Sequence, residues 1–178
     1  MKFYSSKGNS IWWAMLAALM CLCGCSSTNA SKDGALVAMF VQTKTENPEL
    51  ARRIEWFQSD PRPAWLEANP VFQPLQHMEQ AEVIKSPDGI HAIQMKFNTR
   101  GKRLLEDITA ARVGRRLFLM AWYKHKPEDK EMKPRCIGVK YIEKPNSTGQ
   151  FVFFPDTSEE EARRLTNGFN SAAKKIQR

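Results

Sequence analysis

Residues 91–123 read HAIQMKFNTRGKRLLEDITAARVGRRLFLMAWY, and the spacing of their apolar side chains changes twice. His91, Ile93, Met95 and Phe97 alternate with Ala92, Gln94 and Lys96, the period of a strand with one buried face. Asn98 or Thr99 can then cap a helix whose stripe is Leu104/Leu105, Ile108 and Ala111/Arg112, the spacing of one helical face. Gly114 occupies the position at which glycine ends a helix in the left-handed region. Residues 117–123 (LFLMAWY) form an unbroken apolar run, which reads as a central strand.

Toward the C-terminus, residues 124–134 are a charged, hairpin-like loop. Residues 136–142 and 150–154 read as two further strands, joined through Pro145, Asn146, Ser147, Thr148 and Gly149. The last helix is the clearest element. Thr157 and Glu160 have capping-box spacing, and Glu159, Glu160 and Glu161 complement the positive end of the helix dipole. Ala162, Leu165, Phe169, Ala172/Ala173 and Ile176 run down one face, with Lys174 and Lys175 at the negative end. Such a stripe needs a sheet to cover it.

Toward the N-terminus, Ser86-Pro87-Asp88-Gly89 is a turn, preceded by a short extended segment at residues 81–84. Pro61, Pro63, Pro70 and Pro74 make residues 60–75 irregular or edge-like, with Trp65 and Phe72 expected to pin them to the core. Asn47-Pro48-Glu49 could open a helix, yet Ile54 and Trp56 alternate as in a strand, so a turn and then an extended segment is the reading adopted. Residues 35–41 (ALVAMFV) read as a buried strand. The fold class is therefore α+β, a mixed or antiparallel sheet of about five or six strands with two main helices packed on one face. Residues 35–178 form a single domain in this reading.

Within that domain, Met95 and Phe97 lead into Gly101, Leu105, Thr109, Gly114 and Leu117. The closing segment is Phe151-Val152-Phe153-Phe154, Pro155-Asp156-Thr157 and Glu161-Ala162-Arg163-Arg164-Leu165. In order and spacing these residues resemble the head of the first periplasmic domain of SecD, of the bacterial protein-export machinery. The pattern there is a strand, a helix with G-x-x-x-[FLM]-x-x-x-T-x-x-x-x-G-x-x-[LM], and finally a strand, a turn and an E-A-x-x-L helix. The resemblance covers residues 79–173 and implies an α+β head that contacts polypeptides. Gly101, Leu105, Thr109, Gly114, Glu161, Ala162 and Leu165 are the motif positions, and physically they read as determinants of fold rather than of chemistry. The acidic, proton-linked membrane spans of SecD have no counterpart in these residues.

The first residues supply an address. Lys2 and Lys7 precede a thirteen-residue apolar core at residues 11–23, IWWAMLAALMCLC. That is short of the roughly 20 residues a spanning helix needs, and it fits a secretory signal. Leu22-Cys23-Gly24-Cys25, followed by Ser26-Ser27-Thr28-Asn29, resembles the lipobox of bacterial lipoproteins. The resemblance implies cleavage between Gly24 and Cys25 and acylation of Cys25. With Ser26 rather than Asp behind the cysteine, it also implies the periplasmic face of the outer membrane. Residues 1–24 are then the signal peptide, and residues 25–34 the lipidated cysteine and its tether. Each buried acyl methylene stabilises such an anchor by about 0.8 kcal/mol. Cys21 and Cys23 leave with the signal, so Cys136 is the one unmodified thiol of the processed chain, expected to be buried and inert.

The charge is +8, from 27 basic and 19 acidic residues, and loss of Lys2 and Lys7 reduces it to +6. Export argues against nucleic acid as the partner of this basic balance; an envelope protein, a polypeptide or an anionic surface remains. Lys124, Lys126, Lys130, Lys133 and Arg135 are the candidate partner-binding cluster. His77, His91 and His125 lack metal-ligand spacing, and His91 is expected to pair with a nearby carboxylate. Neither a nucleophile elbow nor a nucleotide-binding loop occurs. The expectation is a protein with no catalytic residues, metal or cofactor, acting as a binding or scaffold module for polypeptides or envelope proteins. The alternative is a structural protein whose basic face lies against anionic lipid or cell wall, and the third reading is an accessory factor in protein export.

Labelling of cells with a clickable palmitate analogue is expected to mark the wild-type chain and to be lost in Cys25→Ala. Label retained by that variant would refute the lipobox assignment.

Overall fold

The structure, a computed structural model, describes residues 34–57, 61–125 and 128–178. The signal peptide, Gly24, Cys25 and the tether up to residue 33 lie outside the described residues, as does Lys126. The elements in chain order are β1 (Leu36–Val41), β2 (Ala51–Trp56), β3 (Arg62–Glu67), β4 (Met78–Lys85) and β5 (His91–Phe97). They continue with α1 (Thr99–Ala110), β6 (Arg116–Tyr123), β7 (Lys133–Tyr141), β8 (Gln150–Phe153) and α2 (Glu159–Ile176). The class is α+β, but the strands are divided among three antiparallel sheets, ordered β1-β6-β7, β2-β3 and β4-β5-β8. The two three-stranded sheets touch edge to edge, where Gly138 of β7 bridges Pro155 just after β8. The two three-stranded sheets hold six strands where about five or six were expected in one sheet, with a seam between them, and β2 and β3 add a separate ribbon.

Register explains the unbroken apolar runs. Val37, Met39 and Val41 of β1 sit opposite Ala121, Leu119 and Leu117 of β6, and all six belong to the main core. Their neighbours Ala38 and Phe40 lie opposite Met120 and Phe118 and face a second, smaller core on the reverse of the sheet. A strand buried on both faces has no polar alternation to show. On the main-core face lie both helices, through Leu105 of α1 and Ala162, Leu165, Phe169, Ala172 and Ala173 of α2. The β2–β3 hairpin covers the reverse with Ala64 and Leu66, and the ring of Trp56 meets Phe118 edge-on at 5.4 Å.

In that hairpin, β2 is the extended segment expected after the turn at residues 47–49, whereas β3 falls in residues expected to be irregular or edge-like. Pro63 is tolerated because β2–β3 is a two-stranded ribbon in which it lies opposite Glu55. Ala64 and Leu66 anchor it, whereas Trp65, expected to do so, is only half-buried on the other side of the strand. Phe72 does reach the main core and bridges Met39.

Helix ends differ from expectation in informative ways. Asn98 caps α1 by accepting from the Gly101 amide at 2.9 Å. The helix stops at Ala110, before Gly114, which adopts φ 81° after an intervening turn and donates its amide to the Ile142 carbonyl at 2.8 Å. Gly114 therefore docks the chain against β7 rather than capping the helix. The cap of α2 is Ser158, accepting from Glu161 N, not Thr157 one residue earlier. Glu161 then stands at the third helical position, and its carboxylate meets Tyr123 and Arg135. His91 also departs from its expected carboxylate partner, its Nε2 donating instead to the Thr157 carbonyl at 2.9 Å.

Two glycines are required by close approach. A Cβ on Gly101 would lie 2.6 Å from His77 Cβ and 3.0 Å from Phe97 Cβ, so α1 can pack this tightly only without one. A Cβ on Gly138 would lie 2.5 Å from Cδ2 and 2.9 Å from Cε2 of Phe153, a ring fully buried in the main core. Neither the ring nor the backbone has room to yield, so Gly138→Ala is expected to lower unfolding stability by about 2 kcal/mol. Adding Phe153→Leu should recover part of that loss. Urea denaturation midpoints check both; an unchanged midpoint in Gly138→Ala would show that the seam is not tightly packed.

Candidate functional site at the seam between the sheets

A bulge in β7 makes the seam. Register slips between Leu119 and Met120 of β6, so Ile137 and Gly138 share one position of the ladder. The Ile137 carbonyl turns away from β6 and accepts the Asp156 amide at 2.8 Å. From this junction, one end of the seam is closed by side chains and the other opens into a cleft.

At the closed end, Arg135 Nη1 donates to Glu161 Oε1 at 3.2 Å and to the Tyr123 hydroxyl at 3.1 Å. Tyr123 donates its own proton to Glu161 Oε1 at 2.7 Å. Arg135 Nη2 donates to the Asp156 carbonyl, with the Asp156 carboxylate 3.9 Å away. The guanidinium is shielded, its side chain only 12% exposed against 19% for Glu161. β6, β7 and the first turn of α2 are thus tied by one charge-assisted network. Burial, and then the hydrogen bond to Glu161, push the Tyr123 phenol up to about 12 against the smaller opposing effect of Arg135. His125 lies over Tyr123 with ring centroids 4.6 Å apart, and its carbonyl accepts from Arg164 at 2.7 Å.

At the open end, β7 and β8 diverge around a cleft of about 280 Å³ lined by Lys140, Tyr141, Ile142, Gln150, Phe151 and Val152. Thr109 of α1 forms part of its wall, donating to the Leu105 carbonyl at 2.7 Å and accepting the Asn146 amide at 2.8 Å. Asn146 in turn donates from Nδ2 to the Gln150 carbonyl at 2.7 Å, which fixes the loop that frames the mouth. Ile142 spends its amide and carbonyl on Arg115 and Gly114, and Gly149 accepts from Phe97. Alternation along antiparallel strands then turns the backbone groups of Tyr141 and of Val152 toward the cleft.

The motif positions divide accordingly. Gly101, Leu105, Ala162 and Leu165 are buried packing positions, Thr109 joins helix to loop, and Glu161 belongs to the network. Of the basic cluster, Arg135 is engaged inside the protein, and Lys133 is exposed at the start of β7. Lys124 and Lys130 line a separate surface depression with Lys175. Tyr123 escaped the sequence reading because its hydroxyl closes an otherwise apolar run. Cys136 is buried on the reverse face, where burial pushes its thiol up to about 11. Burial, with a smaller effect of Arg100, lowers the pKa of His77. No three metal-ligating side chains converge among the described residues, and no helix among them is long and apolar enough to cross a membrane.

No protein-family profile and no curated protein matches this chain. Among solved structures it is similar to one described as a membrane component, SecDF, that enhances protein export. That similarity has 15% identity and a TM-score of 0.54, over 94% of this chain and 71% of the other. It is also similar to SecDF in a super-membrane-facing form, at 18% identity and a TM-score of 0.53, over 77% of this chain and 19% of that one. At such identities the likeness is one of fold, and the fold is SecD-like.

A phenol whose pKa is higher folded than unfolded favours the folded state only while protonated. Its contribution is complete below pH 10 and is lost as the pH rises toward 12. Wild-type protein should lose denaturant resistance over this range, and Tyr123→Phe should show a shallower decline. Equal slopes in the two proteins would remove Tyr123 as the source.

Proposed function

We propose that this chain is a lipid-anchored, non-catalytic module of the bacterial envelope that holds extended polypeptide in the cleft between β7 and β8, as an accessory to protein export. One observation carries the reading: in a SecD-like fold, two sheets part so that two strand edges face the same cleft. An extended segment entering it can pair its main chain with Tyr141 on one side and Val152 on the other, the β-augmentation mode of recognition. Main-chain pairing is indifferent to sequence, which suits a client of many sequences. Exposed Tyr141 and Phe154 flank the edges with apolar surface for alternate side chains.

The polar groups that converge at the seam support a binding role over a chemical one. Arg135, Tyr123 and Glu161 satisfy one another in a shielded network, and such groups hold structure. The thiol of Cys136 is held protonated by burial. The Leu22-Cys23-Gly24-Cys25 signal supports acylation at Cys25 and residence at the periplasmic face of the outer membrane.

A photo-reactive phenylalanine at position 152 is expected to crosslink exported polypeptides in living cells, and one at position 90, in the β4–β5 turn, is not. Tyr141→Pro, which removes one edge donor, should reduce the yield severalfold. Equal yields at positions 152 and 90 would rule the cleft out.

A further inference from the structure

Away from the seam, at the end of the sheet where β1 begins, three large apolar side chains are exposed together. Leu36 at the start of β1, Met132 before β7 and Ile176 at the end of α2 are 42%, 44% and 50% exposed. They line one depression of about 450 Å³, and the charged residues on its wall are Lys124, Lys130 and Lys175. Gly34, from which the chain leads back toward Cys25, lies on the same wall.

We infer that this rim is a docking surface for an anionic phospholipid bilayer, the one to which the chain is tethered. The inference rests on the anchor at Cys25 but not on polypeptide binding in the cleft. Apolar side chains surrounded by lysines match a lipid headgroup layer in both respects. Leu36, Met132 and Ile176 can enter the acyl boundary, while lysines lay their methylene stems along them and keep the ammonium at phosphate level. Lysine is a flexible point charge with no fixed fork, suited to a fluid field of phosphates rather than one fixed carboxylate. Lys175 also offsets the partial negative charge of the α2 C-terminus, which would otherwise repel such headgroups. Eight residues separate Cys25 from Gly34, and the nine Cα–Cα steps between them reach about 30 Å at most when extended. The tether therefore keeps the rim close to the bilayer and makes even weak attraction effective.

The test uses the acylated, processed chain carrying Met132→Cys labelled with an environment-sensitive fluorophore, in vesicles containing a lipid-borne quencher. Vesicles of phosphatidylethanolamine and phosphatidylglycerol are compared with vesicles of phosphatidylcholine alone. A Val113→Cys label, at the far end of the sheet beside the start of β6, is the control. Quenching is expected at position 132 in anionic vesicles, severalfold above both neutral vesicles and the control. Roughly fivefold weaker association should follow for each of Lys124, Lys130 and Lys175 changed to Gln. Release of the wild-type chain's rim at about 0.5 M salt, where the screening length is near 4 Å, gives the same answer without any lysine variant. Pelleted chain with an unquenched label, or equal quenching in neutral vesicles, overturns the inference and leaves the anchor standing. A fluorophore shielded by captured protein instead of lipid also overturns it. Chain absent from the pellet overturns the anchor and the inference together.

Discussion

The ring of Phe153 occupies the space where a side chain on Gly138 would stand, and that contact sets how the two three-stranded sheets meet. Because β7 bulges there, the Ile137 carbonyl is turned out of its own ladder and takes the Asp156 amide. The chain is thereby led from β8 into α2 at a fixed angle, with Ser158 placed to cap the helix and Glu161 placed beneath Tyr123. Any side chain at position 138 would push β8 away and loosen this sequence of contacts from its first step. The same geometry opens the cleft: two strands joined at one point and sharing no ladder beyond it separate as each keeps its own sheet's twist.

The closed and open ends of the seam are complementary consequences of that junction. Arg135 is a shielded cation that donates to three acceptors, and removal of any one of them would leave it under-satisfied. A network like this fixes the relative position of β6, β7 and α2 more than it adds net stability. At the open end, Thr109 performs the related task with one hydroxyl, bonding backward to its own helix and forward to the loop that frames the cleft.

Legibility in the sequence followed the locality of each signal. The strand at His91, the helix after Asn98, the run beginning at Leu117 and most of the stripe of the last helix depend on near neighbours and are present. Ala111 and Arg112, however, fall beyond the end of α1, and Ile176, expected on the covered face, is half exposed at the end of α2. The pairing of the strands into two sheets depended on a bulge at Ile137 and Gly138, which period-two alternation cannot reveal. The extended segment of β2 is legible in the alternation of Ile54 and Trp56, but its partner β3 lies behind Pro61 and Pro63, whose presence excludes a central strand but not a ribbon laid over the back of a sheet. The capping residue lies one position later than expected because Thr157 and Ser158 are both good caps and each has a glutamate three residues on, Glu160 and Glu161, so capping-box spacing does not choose between them. The basic cluster was read as one surface because its members are neighbours in sequence, whereas strand alternation places Arg135 inside while Lys124 and Lys130 join Lys175 from a distant helix.

This division of the basic residues also orders the molecule along its length. β6 begins at Arg116, opposite Tyr141 on the side of the cleft, and ends at Tyr123, next to Lys124 of the lysine rim. Its eight residues separate those ends by about 23 Å at strand rise. A rim seated on the bilayer would then hold the cleft well beyond the headgroups, turned toward soluble polypeptide. The two surfaces do not compete for the same residues, so lipid at one end leaves strand pairing at the other unobstructed. Arginine at the seam and lysine at the rim fit that arrangement, since a planar fork suits fixed acceptors and a flexible ammonium suits moving ones. The basic residues between Lys124 and Arg135 are thus better understood as two separate groups, Arg135 holding the fold together and Lys124 and Lys130 on the surface, than as a single basic face.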